Sequence, residues 1–85
     1  MDSMRITRTV YYCTYTRHDD TLPQYSRAFA TEAAARVAAK HLRQQGYWGT
    51  IERHHQAKQD DENDYGWFPY WPDNGTNAVT ILDAF

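Results

Sequence analysis

The chain has 85 residues, which bounds it to one domain with a small core. A single cysteine, Cys13, excludes an internal disulfide, and no apolar run reaches membrane-spanning length. The net charge of −2 hides an asymmetry: residues 1–58 carry nine bases against five acids, whereas residues 59–85 carry six acids and no Lys or Arg.

Mean hydropathy is low at −0.88, a value compatible with disorder. Thirteen aromatics and well-patterned segments argue instead for a folded chain whose core is built from large rings. The opening M-D-S-M-R-I-T-R has no signal-peptide apolar stretch, so the expected location is the cytoplasm.

Residues 5–17, R-I-T-R-T-V-Y-Y-C-T-Y-T-R, are dense in β-branched and aromatic residues and predict a long strand. Ile6, Val10 and Tyr12 fall on one face, and Tyr11, Cys13 and Tyr15 on the other. H-D-D-T-L-P is a turn, because Pro23 biases Leu22 away from helix. Gln24 to Ala30 predicts a second strand paired antiparallel with the first, with Tyr25 and Arg27 on one face and Ser26 and Ala28 on the other.

Thr31 to Gln45 predicts a helix. Thr31 is an N-cap, Glu32 complements the dipole, the alanines supply propensity and Gly46 sits where a capping glycine belongs. Ala34, Ala35, Ala38, Ala39 and Leu42 form one stripe flanked by Val37 and His41, with Arg36, Lys40 and Arg43 opposite. So slim a stripe lets the helix lie close to a sheet, and Tyr and Trp from the sheet are expected to fill the interface.

Tyr47 to His55 predicts a third strand in which Gly49 marks a bulge or a close contact. Gln56 to Asp64 is expected to be a mobile acidic loop. Tyr65 to Tyr70 holds a short strand, Asn74-Gly75 is a hairpin signal expected to pair its flanking runs, and Asn77 to Leu82 is a last strand. The expected fold class is α+β: a single compact domain, one α-helix on a small antiparallel β-sheet, in the order ββαβ(β)β.

Metal chemistry fits poorly. The potential ligands Cys13, His18, Asp19, Asp20, His41, His54 and His55 lack zinc-site spacing. Adjacent His54 and His55 point to opposite strand faces, and D-D-E-N-D lacks the calcium-loop glycine. No nucleophile motif or phosphate-binding loop occurs, and Cys13 sits in an aromatic run where a thiol is usually packing. The expectation is no enzyme, no cofactor and no metal site, with a small enzyme or metal-binding protein as the last alternative.

Two binding chemistries stand above these. Arg36, Lys40 and Arg43 form a basic helix face, and Tyr and Trp on a sheet could stack bases, as a nucleic-acid-binding module would. Net acidity weighs against it. The segment from Gln59 to Thr76 fits protein binding better. It joins Asp60, Asp61, Glu62 and Asp64 to Trp67, Phe68, Tyr70 and Trp71, giving aromatic anchors with an acidic rim suited to a basic partner surface. The plainer use of these rings is to complete the core. A homodimer through the aromatics is left open.

The order of first strand, helix T-E-A-A-A-R-V-A-A-K, strand G-Y-W-G-T-I-E-R, acidic insertion and last strand resembles the small single-domain anti-CRISPR proteins of phages and mobile elements. The resemblance covers most of the chain in size, order and charge. It rests on no motif, so it transfers no functional residue. It implies a non-enzymatic inhibitor that blocks a basic site on a CRISPR effector or other nucleic-acid-processing complex, acting in the host cytoplasm.

Overall fold

A computed structural model of the chain describes residues 5–17, 24–59, 66–72 and 75–85. The elements are β1 (Arg5–Arg17), β2 (Tyr25–Phe29), α1 (Glu32–Gln44), β3 (Tyr47–Gln59), β4 (Phe68–Pro69) and β5 (Val79–Ala84). One helix packs on an antiparallel sheet, as the pattern predicts. Strands run in the order β2-β1-β3, and β4 and β5 both lie on the outer edge of β3.

Two 13-residue strands form the spine. β1 and β3 pair without a break from Arg5 opposite Gln59 to Arg17 opposite Tyr47. Thirteen antiparallel residues extend about 44 Å, whereas a 13-residue helix reaches only about 20 Å. The helix therefore covers one half of the spine and leaves the other as an arm. The Cα radius of gyration is 15.0 Å, against about 12 Å expected for a compact chain of this length.

The helix starts and stops where its caps dictate. The Thr31 hydroxyl accepts the Ala34 N–H at 3.2 Å, and Gly46 follows the C-cap Gln45 with φ of 93°. Ala35, Ala39 and Leu42 are buried against Cys13, Tyr15 and Ile51. Tyr11, Tyr47, Phe29, Leu82 and Phe85 close this core, with Tyr15 and Tyr47 edge to face at 5.2 Å. Tyrosine thus fills the interface as expected, but tryptophan does not. Trp48 points to the opposite sheet face and is exposed, and the 67–71 rings belong to the arm.

Gly49 marks a close contact. It pairs with Tyr15, and a Cβ built there would run into the Thr14 carbonyl oxygen. The bulge lies elsewhere, on β5. Ile51 opposes Asp83 and Glu52 opposes Ile81, so Leu82 is the extra residue. Leu82 packs on the core, its neighbour Asp83 meets Arg36 of the helix, and Ile81 is left exposed on the other face.

Two expectations at the distal end are corrected. Residues 56–59 are strand, because β1 reaches back to Arg5 and supplies them with a partner, and Ala57 is fully buried there. Residues 60–64, the acidic remainder of the expected loop, lie outside the described residues. Among the described residues, the runs flanking Asn74-Gly75 pair with β3 and not with each other. β4 bonds to residues 56–57 of β3 and β5 to residues 50–54, end to end along one edge. The edge of a 13-residue strand is long enough for both.

Candidate protein-binding surface

The chain leaves β4 and approaches β5 at the same rung of β3. The Tyr70 N–H donates to the His55 carbonyl and the His55 N–H to the Ala78 carbonyl, at 2.9 and 2.7 Å. Tyr70 and Ala78 are thereby held by a single residue of the spine. His55 is itself fixed through its ring, which shares a 3.1 Å hydrogen bond with the Thr9 hydroxyl. Trp71 directly follows Tyr70 and is 65% exposed.

The other rings of the segment divide by strand face. Trp67 lies on the helix-free side, with the Arg8 guanidinium 3.9 Å and the Lys58 ammonium 5.3 Å from its ring. Arg8 is held in place by donating to the Gln56 side chain at 2.8 Å. Phe68 pairs with buried Ala57, and Tyr70 carries the Arg5 guanidinium 4.9 Å from its ring. Arg5, Phe68, Pro69, Tyr70 and Trp71 line an open recess of about 590 Å³. Trp67 and Tyr70 are half-buried, each under a cation, while Phe68 and Trp71 are presented to solvent. Asp60, Asp61, Glu62 and Asp64 of the predicted rim lie outside the described residues.

Sequence reading paired these aromatics with acids and overlooked their cations. Arg5 and Arg8 are separated from the segment by some sixty residues, and only the β1–β3 register brings them beside it. The one signal was the two arginines at the start of a strand otherwise rich in threonine and tyrosine.

The basic helix face is reduced by its own neighbours. Arg36 donates to Glu32 at 2.8 Å and to Asp83 at 3.0 Å, leaving Lys40 and Arg43 as the exposed bases beside it. The Glu32 hydrogen bond first, and then that of Asp83, raises the Arg36 pKa. The strand arginines divide unevenly. Arg5, Arg17, Arg27 and Arg53 share the helix-side face by alternation, so only Arg8 joins Lys58 on the open face.

That open face instead holds a hydrogen-bonded polar column along β3. Glu52 accepts from the Thr50 hydroxyl at 2.8 Å and bonds His54 Nε2 at 2.9 Å, while the Tyr12 ring stands edge-on to His54 at 4.5 Å. Burial pushes the Glu52 pKa up, but hydrogen bonds from His54, Thr50 and Thr14 outweigh it and hold the carboxyl below its ordinary range. Val79 and Ile81 flank the column as exposed apolar residues. His54 and His55 do point to opposite faces. Among the described residues no three His, Cys, Asp or Glu side chains gather as a metal site would require, and no helix is long and apolar enough to cross a membrane. Compared with protein-family models, curated proteins and solved structures, the chain finds no match.

Proposed function

We propose that the chain is a non-enzymatic protein-binding inhibitor that docks through the distal arm, with Trp71 and Phe68 as anchors. The supporting observation is Trp71: a large ring, 65% exposed, next to Tyr70, whose backbone N–H is held by the His55 carbonyl. An anchor whose backbone is tethered before binding loses less entropy on binding, and tryptophan is a preferred hot-spot residue. Arg5 beside the recess adds a donor fork. Asp60, Asp61, Glu62 and Asp64 directly precede the anchors in sequence, so the partner surface is a basic one of the kind that holds nucleic acid. In its finer form the target is a CRISPR effector in the host cell.

A second reading has its own support. Arg5, Arg8 and Lys58 interleaved with Trp67, Tyr70 and Trp71 are the ingredients of a single-strand nucleic-acid platform. It moves the nucleic-acid alternative from the helix face, where Arg36 is engaged, to the arm.

One experiment separates the two. Tagged wild-type chain and a Phe68→Ala/Trp71→Ala variant are used to capture partners from nuclease-treated host lysate, and both are run against random DNA and RNA in low-salt gel shifts. The proposal expects a protein captured stoichiometrically by wild type and lost with the variant, and no shift. A salt-sensitive shift abolished by Arg5→Ala/Arg8→Ala, with no protein captured, would overturn it in favour of the second reading. Neutralising Asp60, Asp61, Glu62 and Asp64 together should slow association and flatten its salt dependence.

A further inference from the structure

The apolar stripe of α1 is wider than the surface the sheet covers. Ala35, Ala39 and Leu42 are buried, but Ala34 is exposed and Val37 is 57% exposed. They look onto an open groove of about 750 Å³ between the helix and β2. Phe29, Val37, Ala38 and Leu42 give it an apolar lining, Arg27 and His41 line it as well, and among the described residues no carboxylate does.

The strand on the other side of this groove is a free edge. Gly49 and Phe85 exchange backbone hydrogen bonds, and the His55 N–H reaches Ala78, so odd-numbered residues of β3 bond outward to β5. Even-numbered residues of β3 therefore bond to β1, and by register the odd residues of β1 bond to Tyr25, Arg27 and Phe29 of β2. Ser26 and Ala28 are left with N–H and C=O groups aimed away from the sheet, and no strand pairs with that edge among the described residues.

We propose that the β2–α1 groove binds an extended peptide of another protein by strand addition to β2. The peptide places a carboxylate side chain opposite Arg27 and an apolar side chain opposite Phe29. The backbone of Ser26 and Ala28 supplies the ladder, and the groove supplies the selectivity. Arg27 is at a non-hydrogen-bonded position, where opposing side chains approach most closely, so an acid there is favoured and a base opposed. Residues two apart on the peptide share a face, and the second of them falls into the apolar lining. A second copy of the chain fits less well. The register that uses Ser26 and Ala28 of both copies sets Arg27 against Arg27, with like charges directly opposed. This surface is separate from Phe68 and Trp71, so the two proposals stand or fall independently.

The test is a titration of the ¹⁵N,¹³C-labelled chain with the capped heptapeptide Thr-Phe-Thr-Glu-Thr-Phe-Thr, which presents the motif in either strand direction. A second peptide carries Lys in place of Glu. The expected result is saturable shifts at the Ser26 and Ala28 amides and the Val37 methyls, with slowed exchange of those amides. N-methylating the two threonines beside the Glu should abolish binding. Arg27→Glu should weaken the Glu peptide by about tenfold and reverse the preference toward the Lys peptide, while Phe68→Ala/Trp71→Ala leaves it intact. Absence of saturation up to about 1 mM peptide, shifts centred elsewhere, or equal binding of the two peptides would overturn the proposal. So would self-association that protects Ser26 and Ala28 without peptide, which would assign the edge to a second copy.

Discussion

The Cys13 thiol donates to the Ala35 carbonyl oxygen at 3.1 Å, joining the middle strand of the sheet to the backbone of the helix above it. Both residues have no solvent exposure. The contact marks how close the helix lies, and the alanine stripe is what permits it: any longer side chain at position 35 would lift α1 off Cys13. Ala35→Leu is expected to cost about 1–3 kcal/mol by overpacking, read as a lower urea midpoint with an unchanged slope.

Burial pushes the Cys13 pKa up, with the charge of Arg27 offsetting part of the effect. A buried, protonated thiol is a poor nucleophile. Native protein at about pH 8, just below the ordinary thiol pKa, should therefore resist a disulfide reagent, and its labelling should follow the unfolding curve in urea. Rapid labelling without denaturant would show that α1 opens locally from the sheet.

Gly49 faces the Thr14 carbonyl with no room for a Cβ. Gly49→Ala must push the two long strands apart at the rung shared with Tyr15. The expected cost is at least about 3 kcal/mol, measured by thermal or chemical unfolding. Gly46→Ala is the contrast. A methyl group there would meet nothing within 4 Å, so only the positive φ is penalised, by about 1 kcal/mol.

Glu52 makes stability depend on pH. Its carboxyl pKa is held below the ordinary 4.5 in the fold. A depressed folded pKa contributes stability that is present above the unfolded value and is lost as pH falls through the folded one. Glu52→Gln should thus be less stable than wild type by about 1–2 kcal/mol near neutral pH. The difference should narrow below pH 4.5 and vanish once the native carboxyl is protonated. Urea melts of both proteins at stepped pH check this; a gap that persists at low pH would assign the loss to packing.

The two faces of the aromatic segment should separate stability from binding. Trp67→Ala and Arg8→Ala each weaken the arm, and their cycle should show a coupling of about 0.5–1 kcal/mol. Trp71→Ala, on an exposed ring, should leave stability within about 0.5 kcal/mol while removing partner binding. Chemical unfolding of the single and double variants, with one capture assay, measures both.

Local chemistry carried much of the fold in the sequence itself. The bounds of the first strand, the Thr31 cap, Gly46 after the helix and the alternation of Tyr11, Cys13 and Tyr15 are set by propensity and period within a few residues, and they hold in three dimensions. What the alternation could not tell was length. Residues 56–59 are polar and look like loop, but they are strand because β1 lies beside them. The runs on either side of Asn74-Gly75 pair with the edge of β3, a partner that no local signal names.

The candidate surfaces divide in the same way. Sequence alone determined that Phe68 and Trp71 stand among acids and that the helix bears a broad alanine stripe. Only the tertiary structure decided that Arg5, Arg8 and Lys58 occupy the rings of Tyr70 and Trp67, that Asp83 and Glu32 engage Arg36, and that Ala34 and the flanking Val37 stay uncovered beside β2. Nearly all of these are contacts between residues distant in the chain. They are fixed by strand register and by the mismatch between a long sheet and a short helix, and neither leaves a local pattern to read.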